Sequence, residues 1–261
     1  MNALRQIKKS VKSIMDSSSL LRPLLYWYMG ANGNRKFRAA QRNCLKELFK
    51  RNQINIVLDV GAHAGETGKF LRGGVDFKGK IISFEPIHEK FLLLQSKAKA
   101  SSPWDCYEVA LGNETGSKTF TVFNNAYNSS FLNIHDLLEK EGKLQKIREE
   151  IVQIQKLEEL YPVLCKPTDS VLLKIDTQGF EKEVLDGAGK FLNHIRMIKL
   201  EVSFVPLYKG ETLIGEMIQF LQTKGFAPVL IEPGHISQEF YQLQADIVFL
   251  NQNPSAAFPT V

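Results

Sequence analysis

Cysteine is scarce in this chain and never paired. Cys44, Cys106 and Cys165 stand far apart with no CxxC between them. That spacing excludes a disulfide framework and a thiolate zinc site, and reads as reduced, small apolar side chains of a cytoplasmic protein, none of them a good nucleophile. The five histidines, His63, His88, His135, His194 and His235, show no H-x-x-x-H spacing, so the usual helical zinc signature is missing and no metal site is expected. No apolar run reaches the roughly 18 residues that a membrane-crossing helix needs. The stretch LLRPLLYWYMG, residues 20–30, is too short to span and follows no cleavable signal pattern. Internal repeats and low-complexity tracts are absent as well. A dinucleotide fingerprint is also lacking: Gly61, Gly65 and Gly68 do not make G-x-G-x-x-G, because His63 stands where the second glycine belongs.

What is present is an ordinary globular composition: 261 residues, 44% hydrophobic and 23% charged. That length suits one domain with additions. The net charge of +5 is unevenly spread. Residues 1–51 hold twelve Lys and Arg against Asp16 and Glu47, so the remainder is slightly acidic. The basic end is suited to weak contact with an anionic membrane surface or an acidic partner, and its plainer reading is a solvated helical face. Tyr26, Trp27 and Tyr28 suit an interface; the simpler expectation is a helical cap packed on the main domain, and the segment is apolar enough for a homodimer contact.

Helical spacing covers VKSIM and FRAAQRNCLKELFKRN, which predicts a helical extension over residues 1–52 and a separate domain over 53–261. From Ile54 strands and helices alternate. Strands are expected at 54–60, 80–85 and 105–110, the third ending at Ala110-Leu111-Gly112, with helices at about 65–72 and 88–99. GSKTFTVFN, 116–124, alternates as an edge strand. Residues 135–150 read as a charged helix, 150–157 as an exposed strand and 157–164 as a short helix. VLLKID, 171–176, is a buried strand, 180–192 its crossover helix and 195–204 the next strand. A helix at 211–224 ends at Gly225. FAPVLIE, 226–232, and ADIVFLN, 245–251, follow as a hairpin. The expected fold is α/β: a seven-stranded, mostly parallel, Rossmann-like sheet with an antiparallel last strand and helices on both faces.

The run IVLDVGAHAGETG, 56–68, is a buried strand feeding a glycine-rich turn and a helix. Ligands in open α/β sheets sit outside the carboxyl ends of the strands, so this turn is a candidate cofactor site. IISFEP, 81–86, ends a second strand on Glu85, 24 residues after Gly61, where a carboxylate can grip a ribose diol. With His63 crowding the place of a pyrophosphate, the cofactor should carry a ribose without a diphosphate. S-adenosylmethionine fits, and its product would be S-adenosylhomocysteine. The alternative is an NAD(P)-dependent oxidoreductase, opposed by the missing glycine and by the terminal antiparallel strand. A non-catalytic, membrane-associated cofactor-binding scaffold is a second alternative.

DVGAHAGETG (59–68), FEP (84–86), ALG (110–112), NSSF (128–131), KIDTQGFEKEVLDGA (174–188) and ADIVFL (245–250) resemble the FkbM family of S-adenosylmethionine-dependent methyltransferases. The resemblance spans 54–251, and KID-x-x-GFE-x-x-x-L-x-GA is its most specific part. It implies a class I methyltransferase sheet and O-methylation of hydroxyls on natural products or glycans. It departs at His63, where Asn is commoner, and at Gln178, where the family usually has Glu.

Candidate roles follow. Asp59 ends the first strand and can brace the glycine loop or meet the donor's ammonium. Gly61 and Gly65 let backbone approach the donor, with Ala62 between them, and His63 bonds either the cofactor or the loop. Thr67 stands at the helix start, where capping is the default. Glu85 takes the ribose and Pro86 ends its strand. The resemblance places the adenine edge at Ala110 and Leu111. Asn128, Ser129 and Ser130 are loop polars that can touch donor or acceptor. Asp176, at the tip of the fourth buried strand, is the first candidate for a base, Glu201 the second, and Glu181 a third whose plainer reading is a charge favouring the helix dipole. These three carboxylates could also gather a magnesium ion. Lys174, in a buried run, should pair with a nearby carboxylate. The expected acceptor is a small molecule or glycan hydroxyl. Nucleic acid is not expected, because the basic residues lie away from the predicted active edge and no NPPY-like motif follows the fourth strand.

Overall fold

The computed structural model describes residues 22–124, 129–135, 145–237 and 241–253. The chain divides into two compact units, Met1–Leu45 and Lys46–Val261, the division falling inside helix α1 (Arg22–Arg51). VKSIM lies outside the described residues, as do the side chains of residues 20–30. Everything below concerns the second unit.

A seven-stranded sheet organises it. β1 (Ile56–Val60), β2 (Lys80–Phe84) and β3 (Trp104–Tyr107) lie on one side of β7 (Val171–Ile175), and β8 (Ile195–Ser203), β10 (Gln244–Asn251) and β9 (Phe226–Pro233) on the other. The order is β3-β2-β1-β7-β8-β10-β9. Every pairing is parallel except those of β10, which runs antiparallel to both neighbours. The expected fold class is what is found. The central strands β1 and β7 are buried at every residue, which is why they read as unbroken β-branched and leucine runs, whereas the edge strands β3 and β9 are partly exposed.

Around the sheet stand α2 (Glu66–Phe70), α3 (His88–Lys99), α4 (Leu157–Leu164), α5 (Glu181–Gly187) and α6 (Ile214–Thr223). Val184 and Leu185 of α5, Met217 and Leu221 of α6 and Tyr161 of α4 join Leu58, Ile82, Leu173 and Ile198 in one core. Each such side chain, fully buried, contributes about 1.5–3 kcal/mol. Among the described residues no helix is long and apolar enough to cross a membrane.

Register then sorts the polar residues. Ser83, Asp59, Lys174 and Lys199 are neighbours in one row across the sheet. Two residues further along the same strands, and so on the same face, come Glu85, Gly61, Asp176 and Glu201. Glu201 pairs with Asp246, and Asp246 with Glu232. The carboxyl end of the sheet is therefore a line of charge laid over an apolar core.

Three expectations need correction. The third strand does not run on to Gly112: β3 stops at Tyr107, and Ala110–Leu111 form β4 in a second, three-stranded sheet, β4-β6-β5. Residues 146–150 are not helical. They begin β6 (Lys146–Gln155), paired antiparallel along the whole of β5 (Gly116–Phe123); residues 136–144 of the expected helix lie outside the described residues. Val152 and Ile154 alternate with exposed Ile151 and Gln153, and are buried with Phe120 and Val122. Thr67 caps nothing: Gly65 is the N-cap of α2, without a side-chain bond.

Candidate active site

β1 and β7 meet at a crossing that only glycine permits. Gly61 has φ +72°, and a Cβ there would lie 1.9 Å from the Asp176 carbonyl oxygen. The loop after it folds back: the Gly61 and Ala62 amides donate to the Phe84 carbonyl, and Gly65 N–H donates to Ala62. His63, also in the left-handed region at φ +48°, is thereby brought to Glu85.

Glu85 lies 4% exposed at the tip of β2. Its Oε2 accepts the His63 amide at 2.8 Å and its Oε1 the Ile87 amide at 2.9 Å. Burial pushes its carboxyl up to about 7, against the pull of those two amides and of Lys174. The His63 ring, held low by burial, has Nδ1 3.3 Å from Glu66.

A cleft open to solvent, with about 630 Å³ of empty space counted out to its mouth, lies here. Gly61, His63, Glu85 and Pro86 line one side, Ala110 and Leu111 another, and Ser129 and Asp176 a third. The sequence marked all of these. It did not mark Val60, Phe84, Ile87, Phe120, Phe131, Thr177 and Gln178, which complete the wall. Aromatic residues carry no spacing signal at a cavity wall, whereas Gln178 was visible within its motif.

The remaining candidates stand behind the wall. Asp59 is fully buried and does not reach the loop: Ser83 Oγ donates to it at 3.2 Å, and Lys174 Nζ lies 3.3 Å away. Lys174 also lies 3.5 Å from Asp176 and donates to the Gly61 carbonyl, which is the pairing expected of it. Burial alone would lower its pKa, but Asp59 and Asp176 outweigh that and raise it. Ala62, Gly65 and Thr67 shape the loop without lining the cavity. Ser130 donates from Oγ to the Gln178 carbonyl at 2.6 Å.

Glu181 braces its own loop. Its Oε1 accepts from the Thr177 amide, the Thr177 hydroxyl and the Gly179 amide. Burial holds its carboxyl up at about 7. Glu201 is half-buried behind Gln178; desolvation first, then Asp176, Asp246 and Glu181, raise its pKa well above the carboxylate range. Neither lines the cavity. Among the described residues no group of side chains is arranged to hold a metal ion, and burial pushes the Cys106 and Cys165 thiols up to about 11 and 12.

The model of the FkbM methyltransferase domain matches residues 59–228. The chain belongs to the FkbM methyltransferase family. As such it is an S-adenosylmethionine-dependent methyltransferase, and its cavity has a buried strand-end carboxylate, a glycine where two strands approach closely and a largely apolar wall. Solved structures share the sheet only distantly with this FkbM methyltransferase. Magnesium protoporphyrin IX methyltransferase from Synechocystis PCC 6803, with bound S-adenosylmethionine, is 11% identical at TM-score 0.44, over 82% of this chain and 80% of that one. The Methanococcus jannaschii fibrillarin pre-rRNA processing protein is 12% identical at TM-score 0.44, over 77% and 67%. An rRNA methylase from Streptococcus thermophilus is 8% identical at TM-score 0.43, over 76% and 88%. No curated protein matches the chain.

Proposed function

We propose that this methyltransferase methylates a hydroxyl oxygen of a sugar, glycan or small natural product, and that Asp176 receives the hydroxyl's proton. The observation that carries this reading is the difference between the two carboxylates on the cavity wall. Glu85 is buried and already bound by two amides, whereas the Asp176 side chain is 38% exposed at the mouth. One is built to hold a ligand and the other to meet an incoming group.

When bound, S-adenosylmethionine supplies a methyl already activated by its positively charged sulfur and leaves as the neutral thioether. Glu85 would hold the ribose, Ala110 and Leu111 the adenine edge, and the Gly61–His63 backbone the amino-acid end. Asp176 orients the acceptor hydroxyl and takes its proton, since a free hydroxyl is a poor nucleophile. Phe120 and Phe131 exclude water from that encounter.

The test is product analysis. The full chain is incubated with deuterated-methyl donor and polyhydroxylated acceptors, and the labelled product is examined by mass spectrometry and NMR. A methyl on oxygen is expected; a methyl on nitrogen, carbon or a nucleic-acid base overturns the acceptor class.

A further inference from the structure

Gln178 stands where the catalytic reading would least expect a neutral side chain, among carboxylates. Its Nε2 donates to Asp176 Oδ1 at 2.8 Å and to Glu201 Oε2 at 2.9 Å. Its Oε1 accepts from the Tyr208 hydroxyl at 2.8 Å. All three polar positions of the carboxamide are thus used, and Tyr208, 1% exposed, fixes which end faces the carboxylates. The backbone is committed too: φ is +55°, and the carbonyl accepts from Ser130. A non-glycine residue in the left-handed region costs free energy and persists only when its surroundings over-determine it.

We propose that Gln178 is the positioning residue of this active site: its amide, oriented by Tyr208, aims the Asp176 carboxylate at the reacting centre and ties Glu201 back out of it. This rests on the reading that Asp176 faces the transferred methyl. A carboxylate at the mouth of a cavity has free torsions. One N–H donor at Oδ1, with Lys174 near Oδ2, fixes both oxygens. A donor to a charged acceptor also favours the charged form. The same Glu201 oxygen, Oε2, also accepts from Gln244 Nε2 at 2.7 Å, so the bridge holds the two carboxyl groups at one nitrogen without letting them turn toward each other. Glutamate at 178 would offer no donor once ionised.

The test compares two ligands that differ in charge at the reacting centre. Affinities of S-adenosylmethionine and S-adenosylhomocysteine are measured by calorimetry across pH for the wild-type chain, Gln178→Ala, Gln178→Glu and Tyr208→Phe. The groups facing Asp176 are Lys174 on its own strand, Glu201 and Asp246 across the sheet, Glu181 from the helix and Tyr208. All are common to the four proteins except the Tyr208 hydroxyl. The preference for the charged ligand should fall about tenfold or more in Gln178→Ala, the scale of one lost hydrogen bond to a charged group, while S-adenosylhomocysteine affinity falls less. The pH midpoint of that preference should rise. Tyr208→Phe should move both in the same direction by less. Gln178→Glu, whose protonated carboxyl offers one O–H donor in place of two N–H donors, should fall between wild type and Gln178→Ala at low pH and resemble Gln178→Ala above its titration. An unchanged preference and midpoint in both Gln178→Ala and Tyr208→Phe, with S-adenosylhomocysteine still bound, overturns the proposal. Failure of the wild-type chain to prefer the charged ligand at any pH overturns instead the placement of Asp176 at the reacting centre.

Discussion

The Lys174 ammonium lies 3.3 Å from the carboxylate of Asp59, a side chain with no exposure to solvent. Two buried charges are thereby compensated inside the sheet, and the cost of desolvating each is offset only while the other is present. Lys174→Met should destabilise the protein by about 3–5 kcal/mol, because Asp59 is left as an uncompensated buried charge. The double variant Asp59→Asn, Lys174→Met should recover a large part of that loss. Urea unfolding of the three proteins decides it; additive losses would show that the pair is not coupled.

Glu85 gives a pH dependence with a definite sign. Its folded carboxyl sits near 7, above the ordinary 4.5, because burial disfavours the charge. The contribution to stability is therefore complete below about 4.5 and is lost as pH rises through about 7. It amounts to at most about 3.5 kcal/mol, taking about 1.4 kcal/mol per pKa unit. Glu181 contributes with the same sign over the same window. Glu85→Gln should flatten part of the fall in unfolding free energy between about pH 5 and about pH 8. Equal slopes for wild type and variant would contradict the raised carboxyl.

Removing the same group should weaken the cofactor. Glu85→Ala is expected to lower S-adenosylhomocysteine affinity by about 1–3 kcal/mol, the cost of unpaired buried polar groups. Calorimetry reads this directly, and an unchanged affinity would remove Glu85 from the ribose.

Gly61→Ala should be among the most damaging single changes in the molecule. The new methyl would occupy the space of the Asp176 carbonyl in a backbone conformation that alanine disfavours. A loss above about 3 kcal/mol is expected, together with loss of cofactor binding. Thermal melting with and without S-adenosylhomocysteine checks both, and a near-normal melting temperature would refute the tight crossing.

Asp176→Asn keeps the shape and removes the proton acceptor. Turnover should drop by about 10²–10⁴-fold, the range of general-base contributions, while S-adenosylhomocysteine still binds. Near-normal turnover would remove Asp176 as base.

The strands of the sheet and the carboxyl-end placement of the site were legible because buried parallel strands announce themselves as unbroken apolar runs, and acids at their tips interrupt those runs. Glu85 and Asp176 were picked out this way, and Gly61 by its glycine-rich turn; all three line the cavity. What misled was local chemistry read without its partner. KIREE has helical charge spacing, yet the ladder to β5 and the burial of Val152 and Ile154 override it. Asp59 reads like a loop brace until the register sets it beside Lys174. Tyr208 carried no signal, since its role depends on a side chain 30 residues away in the chain. Gln178 was visible only as a departure from the family pattern; that it joins Asp176 to Glu201 is a property of two strands meeting.

The antiparallel strand has a consequence for how the protein is made. β10 lies between β8 and β9, so neither has its lateral partner until residues 244–251 leave the ribosome. Until then β9 has no place in the sheet, and the flank of β8, with Leu200 and Val202, is an open edge. From the synthesis of β8 until that of β10 the nascent chain therefore carries an open sheet edge, and closing it is a late, long-range step.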